Sequence, residues 1–312
     1  MLSISISRVS AQQTESQQEK RQTEKLRVLS TIKPIHAIVL AIAGEQVESA
    51  QLIPDFASPH NYSFKPSDIS HIQQADVIFR IDENFEILLN HAFENKSPTT
   101  PLIALADDDN IHLLDRIGKH QHSAPAVEHQ PNSAHHNHDS EDKKDLHIWT
   151  SPENLHILAG HIATTLSQLD ANNKGLYESN LAHFKNRLLT VTKTIQAELQ
   201  PIKKQPYIVF QNSWQYFSKQ FGLQKPTIVD FHESISAGIK SIKTIRQKIQ
   251  DTNIHCVLAD PNTKAQRLTT LTESLSVNTG IIDILSTELA LNKNTIFAML
   301  QKMGHEIVHC LR

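Results

Sequence analysis

The sequence predicts an α/β protein in which two α/β lobes, with mostly parallel sheets, are joined by one long rigid helix. Three observations point there. Short apolar runs rich in β-branched residues alternate with segments of helical period along the chain, the pattern of βα units that stack helices on parallel strands. Tyr177, Leu181, Phe184, Leu188, Val191, Ile195 and Leu199 recur at steps of three and four. They make one amphipathic helix of roughly six turns, longer than a crossover between neighbouring strands requires. Finally, 312 residues provide chain for about two domains, each with a real core.

Residues 1–25 are excluded from the fold. Val9-Ser10-Ala11 is like the small-residue end of an export signal but follows no apolar core, so the segment reads as a signal remnant and a flexible N-terminus. An N-terminal lobe is expected over 26–170. Its strands are expected at Leu26–Thr31, Glu48–Ile53, Val77–Ile81 and Leu102–Leu105, and its helices at Pro34–Ala43, Ser67–Gln74 and Asn84–Phe93. Ser67 is the expected N-cap of the second helix, with Ile69, Ile72 and Ala75 turned inward. A flexible His-rich loop is expected at 118–145. The linking-helix segment spans 171–203, and Pro201 ends its helix. The C-terminal lobe, 204–312, has expected strands at Tyr207–Phe210, Thr227–Val229, Cys256–Ala259 and Gly280–Ile284, and helices at Ile242–Asp251 and Thr263–Ser274.

Composition removes several function classes. A formal charge of −3 with both signs mixed leaves no basic footprint for nucleic acid or an anionic membrane. The longest continuous apolar run, Ala37 to Ala43, is far too short to span a bilayer. Eight scattered glycines exclude Gly-rich phosphate loops and the nucleotide-binding functions that need them. Two cysteines, Cys256 and Cys310, are compatible with ordinary buried thiols and equally with a disulfide tying the C-terminal segment to the strand around Val257.

The chemistry concentrates on histidine. His120, His122, His129, His135, His136 and His138 fall within one polar, Pro-broken tract that offers nothing to a core, and imidazole is the commonest protein ligand for transition metals. Three further segments put metal-compatible side chains where strands give way to loops. Prolines on both sides stiffen His60 in Ser58-Pro59-His60 to Pro66, so its ring loses little entropy on binding an ion. His147 opens a short β-like run just after the tract. Asp283 lies among apolar residues in Gly280 to Leu285, where a carboxylate is costly unless paired, hydrogen-bonded or metal-bound. Taken singly these are also what surface histidines and a strand-end cap look like; it is their order along the chain that counts.

SPHNYSFKPSD, HIWTSPEN after the His-rich loop, YIVFQNSWQYFSKQFGL, CVLADPN, TGIIDIL and a late cysteine together resemble the zinc-uptake solute-binding proteins, the periplasmic components of high-affinity zinc ABC transporters, which are related to manganese-binding and adhesin-like lipoproteins. The resemblance runs from about Leu26 to the C-terminus. It implies a metal cleft between the lobes, with His60, His147 and Asp283 at the positions of family ligands. It also implies a Cys256–Cys310 disulfide, export to the periplasm, an ABC permease as partner, a monomer, and binding without turnover. Gln211 departs from the pattern, standing where zinc members carry histidine and manganese members glutamate. A carboxamide oxygen is a poor zinc ligand. Gln211 is therefore a weak ligand, or orients a water, or leaves a place for a tract histidine. Two imidazoles and a His-rich collector favour Zn²⁺ over Mn²⁺ as cargo.

Rival readings are a transporter-independent periplasmic metal buffer and a zinc metallohydrolase. His305-Glu306-Ile307-Val308-His309 matches the H-E-x-x-H zinc-protease pattern, yet three residues follow it, too few for the downstream third ligand. Asp260 ends a predicted strand within reach of the cleft and is expected to cap the following turn. His71, His91, His112, His156, His161, His183, His232 and His255 read as surface or satisfied partly buried residues, and His232, beside Asp230 and Glu233, is the only one of them that stands as a candidate to join a site.

Overall fold

Four strands, β1 (Leu26–Ser30), β2 (Val47–Gln51), β3 (Val77–Arg80) and β4 (Leu102–Ala104), build a first sheet in the order β2-β1-β3-β4, every pairing parallel. A second four, β5 (Ile208–Val209), β6 (Thr227–Ile228), β7 (Cys256–Ala259) and β8 (Asn278–Ile281), repeat that order as β6-β5-β7-β8, again all parallel. The computed structural model describes residues 25–117, 144–229, 238–263 and 265–312. No repeat is visible in the sequence, so the two halves share topology and not side chains. In each sheet the chain winds outward in both directions from its first strand. That leaves a crevice at the carboxyl ends of the strands, where open α/β sheets hold ligands.

The helices are α1 (Lys33–Ala43), α2 (Pro66–Gln74), α3 (Asn90–Phe93), α4 (Pro152–Leu169), α5 (Lys174–Leu199), α6 (Gln215–Gln220), α7 (Gly238–Asp251), α8 (Ala265–Thr272) and α9 (Thr295–Leu311). The 26-residue α5 packs against α1 and α4 from the first half and α9 from the second. It buries Tyr177, Phe184, Leu188, Val191, Ile195 and Leu199, the stripe its period predicts. Gly304 lets α9 come close: a Cβ there would lie 3.2 Å from Ile195 Cγ2.

Strand period decides how the second sheet is shared. Val209, Cys256 and Leu258 turn to the main core with α5 and α9, whereas Ile208, Val257 and Ala259 turn to a smaller core with Ile249 of α7 and Leu271 of α8. Cys256 and Cys310 are bonded, which resolves the open alternative and ties β7 to the last turn of α9.

Several expected boundaries move, each for a local reason. The helix expected over Asn84–Phe93 shrinks to a 3₁₀ turn at Ile87–Leu89 and α3. Upstream, the Asp82 carboxylate accepts the Asn84 N–H, and Glu86 accepts those of Ile81 and Asp82, an arrangement that competes with a helical start. Lys65, and not Ser67, is the N-cap of α2; Pro66 takes the first helical position, and the Asp68 carboxylate accepts the Lys65 N–H at 2.7 Å. β8 is Asn278–Ile281, pairing with β7 in register from Cys256↔Asn278 to Ala259↔Ile281; Asp283 therefore lies beyond the strand. Lys144, inside the span expected as a flexible loop, pairs with Asp115 across an antiparallel bridge and a 2.7 Å ion pair. Helices α4, α6 and α9 were not expected, although Ser151 caps α4 ahead of Pro152 as an N-cap should. The six tract histidines and His232 lie outside the described residues.

Candidate functional site

A cavity of about 60 Å³ opens between the two sheets, and His60, His147, Gln211 and Asp283 all line it. That is room for an ion with a few waters. Most segments that reach it leave the carboxyl end of a strand, the exception being the one that carries His147 and Trp149. His60 comes from the loop after β2, Gln211 follows β5, Asp260 follows β7 and Asp283 follows β8. Among the described residues, no group of three or more His, Cys, Asp and Glu side chains is already arranged to hold a metal ion. The donors share one cavity without being closed around a point.

The first-sheet side is an aromatic box. The rings of His60 and His147 stand 5.4 Å apart at 69°, with Phe85 edge-on to both at 4.6 and 5.4 Å, and Trp149 5.4 Å from His147. Phe85 is followed in the chain by Glu86. This fully buried carboxyl accepts from the Thr31 hydroxyl at 2.6 Å and from two backbone N–H groups, with the Arg80 guanidinium 3.6 Å away. Burial pushes its pKa up against the lowering pull of Arg80 and those donors.

His147 does not open a strand; it precedes a 3₁₀ turn, Ile148–Thr150, and its carbonyl accepts the Thr150 N–H and hydroxyl. Its Nδ1 lies 2.7 Å from Oδ1 of buried Asp145, which also accepts the His147 N–H. A carboxylate only accepts, so the ring donates from Nδ1 and its Nε2 keeps a lone pair for an ion. The Tyr216 hydroxyl of α6 donates to the Asp145 carbonyl at 2.6 Å and accepts the Leu114 N–H at 3.0 Å. The helix after Gln211 thus steadies the loop that carries His147.

The second-sheet side offers oxygen. Asp283 is buried and accepts from the Leu285 N–H at 3.1 Å and from the Thr287 N–H and hydroxyl at 2.7 and 2.8 Å, so it is a cap and a cavity wall at once. Trp149 Nε1 donates to the Ile284 carbonyl at 2.7 Å, which links the aromatic box to the loop carrying Asp283. Asp260 caps its turn as expected, accepting from the Asn262 N–H and the Thr263 hydroxyl, and also lines the cavity.

Sequence reasoning missed Asp145, Phe85 and Trp149. The Asp145-Leu146-His147 spacing was a usable hint of a carboxylate–imidazole pair; nothing local marked the other two. His36 was also missed: it is buried, its Nε2 lies 2.9 Å from the Ser49 hydroxyl, and burial pulls its pKa down to about 4. His71, His91, His112, His156, His183 and His255 are exposed, and His161 is half-buried beside Asp108. His305 and His309 face outward on α9. Glu306 backs onto β8, where a Cβ on Gly280 would meet it at 3.3 Å. None of the three lines the cavity.

Paired parallel sheets around such a cleft, joined by a long helix, define a two-lobed solute-binding protein. Residues 28–310 match the family described as zinc-uptake complex component A, periplasmic, and the chain belongs to it. This is a family of transporter binding proteins, not enzymes. The chain is 30% identical to the high-affinity zinc uptake system protein ZnuA of Haemophilus ducreyi, over 91% of this chain and 93% of that one. It is 28% identical to its counterpart in Brucella abortus strain 2308, over 92% of each. A ZnuA deletion mutant solved with zinc bound superposes with a TM-score of 0.75 at 21% identity, over 92% of this chain and 98% of that one.

Proposed function

We propose that the chain captures Zn²⁺ in the periplasm between a lobe spanning 26–170 and a lobe spanning 204–312, bridged by 171–203, and hands the ion as a monomer to an ABC permease. One observation carries this reading: His60, His147 and Asp283, remote in sequence, line a single ion-sized cavity. Two imidazoles and a carboxylate suit a borderline divalent cation better than Mn²⁺, which prefers oxygen, and the named zinc-uptake relatives agree. Because the donors are gathered but not closed, binding draws the two sides together by a small shift. The ligands must shed their protons first, so zinc competes with acid. Gln211 adds at most a weak neutral oxygen, and histidines 120, 122, 129, 135, 136 and 138 collect zinc near the cleft.

Growth of a deletion strain is the test. A feeder of a permease is needed only when zinc is scarce, and complementation by His147→Ala fails there. A strain that suffers only in zinc excess would point to a buffer instead.

A further inference from the structure

We propose that Asp260 supplies the anionic oxygen that position 211 lacks, so that the cation is held by His60, His147, Asp283 and Asp260. This rests on the zinc-capture reading of the same cavity and adds a ligand to it. Asp260 lines that cavity together with the other three. β5 and β7 pair with Val209 opposite Leu258, and the Phe210 N–H extends the ladder by donating to the Leu258 carbonyl at 3.2 Å. Two residues further on, that register sets Gln211 beside Asp260. Both leave the two central strands of the sheet, at the switch point where the winding reverses and ligands of open α/β sheets bind. The carboxylate is thus the neighbour of the neutral amide.

Charge and preorganisation favour it. Two neutral imidazoles and Asp283 alone leave a divalent ion with a net positive charge in a half-buried cavity, and a second carboxylate cancels it. The turn fixes the Asp260 side chain beforehand: Oδ1 accepts the Asn262 N–H at 3.0 Å and Oδ2 the Thr263 hydroxyl at 2.7 Å. Each oxygen retains acceptor capacity for an ion. The neutral amide at 211 is therefore matched by use of the adjacent aspartate, which gives two nitrogens and two carboxylates.

Zinc affinity of the full chain, measured by competition with a chromogenic chelator, tests this. Asp260→Asn should bind Zn²⁺ about tenfold more weakly or worse, and Thr263→Ala, which loosens the turn and keeps the carboxylate, should lose clearly less than Asp260→Asn does. Adding Gln211→His to Asp260→Asn should restore affinity, and the visible bands of the Co²⁺-loaded protein should change in Asp260→Asn. Parent-like affinity or an unchanged Co²⁺ spectrum in Asp260→Asn, or an equal loss in Thr263→Ala, overturns the assignment. His147→Ala keeps the two readings apart: if it also binds zinc like the parent, the capture function itself fails.

Discussion

The two sides of the cleft share a strand order and differ in how they hold their donors. On the first-sheet side the donors are nitrogens, set in rings that Phe85 and Trp149 wedge in place, with the His147 tautomer fixed by Asp145. The opposite wall offers only oxygens, carried on turns beyond the strand ends. Its sheet divides between two cores and is stapled by Cys256–Cys310. In the proposed reading, the side that chooses a borderline metal is built of packed rings, and the side that completes its coordination is built of carboxylates held by turns.

The largest expected effect concerns the stapled side. Cys256 and Cys310 are 54 residues apart, and a cross-link of that span is worth about 4 kcal/mol in the chain-entropy account. Replacing both by alanine should lower stability by about that much in urea unfolding while the folded protein keeps its zinc affinity. An affinity loss as large as the stability loss would break the division of labour.

Next comes the ligand asymmetry. His147→Ala should weaken zinc binding about 100-fold and Asp283→Asn about tenfold, as read by chelator competition. The reverse order would mean that the oxygen side selects the metal. Asp145→Asn sharpens the point: it frees the imidazole to choose the wrong tautomer and should weaken zinc by about tenfold without moving the unfolding midpoint much.

Trp149→Phe keeps the box and loses the bond to the Ile284 carbonyl, which should remove about 1 kcal/mol of binding or stability; no change would show that the link between the sides is incidental. At neutral pH the smallest effect is that of His36→Gln, and it grows in acid. The folded state keeps His36 neutral down to about pH 4, so the unfolded chain takes up the proton first. Its stabilisation is complete above the ordinary imidazole value and is lost as pH falls from 6.5 towards 4. The variant should flatten the acid slope of stability in that window.

Much of this was legible in the residues. Alternating apolar runs located all eight strands within a few residues, and the three-and-four spacing located α5, because both signals come from burial on one face of a regular element. The four cavity positions were legible through the order of the motifs. What stayed hidden was made by convergence. Phe85 is one aromatic among others until the fold sets its ring edge-on to two imidazoles. Asp260 looked like a turn cap, and it is one; only the register of β5 on β7 shows that it is also the neighbour of Gln211. The helix over residues 84–93 is broken into a 3₁₀ turn and α3, behind a turn in which Asp82 accepts the Asn84 N–H.

The most direct measurement is an anomalous difference map at the zinc edge from crystals of the zinc-loaded protein. It should show one strong peak in the cleft, about 2.0–2.2 Å from a nitrogen of His60, a nitrogen of His147 and an oxygen of Asp283. A map with zinc elsewhere on the chain and none touching these three residues would contradict the account.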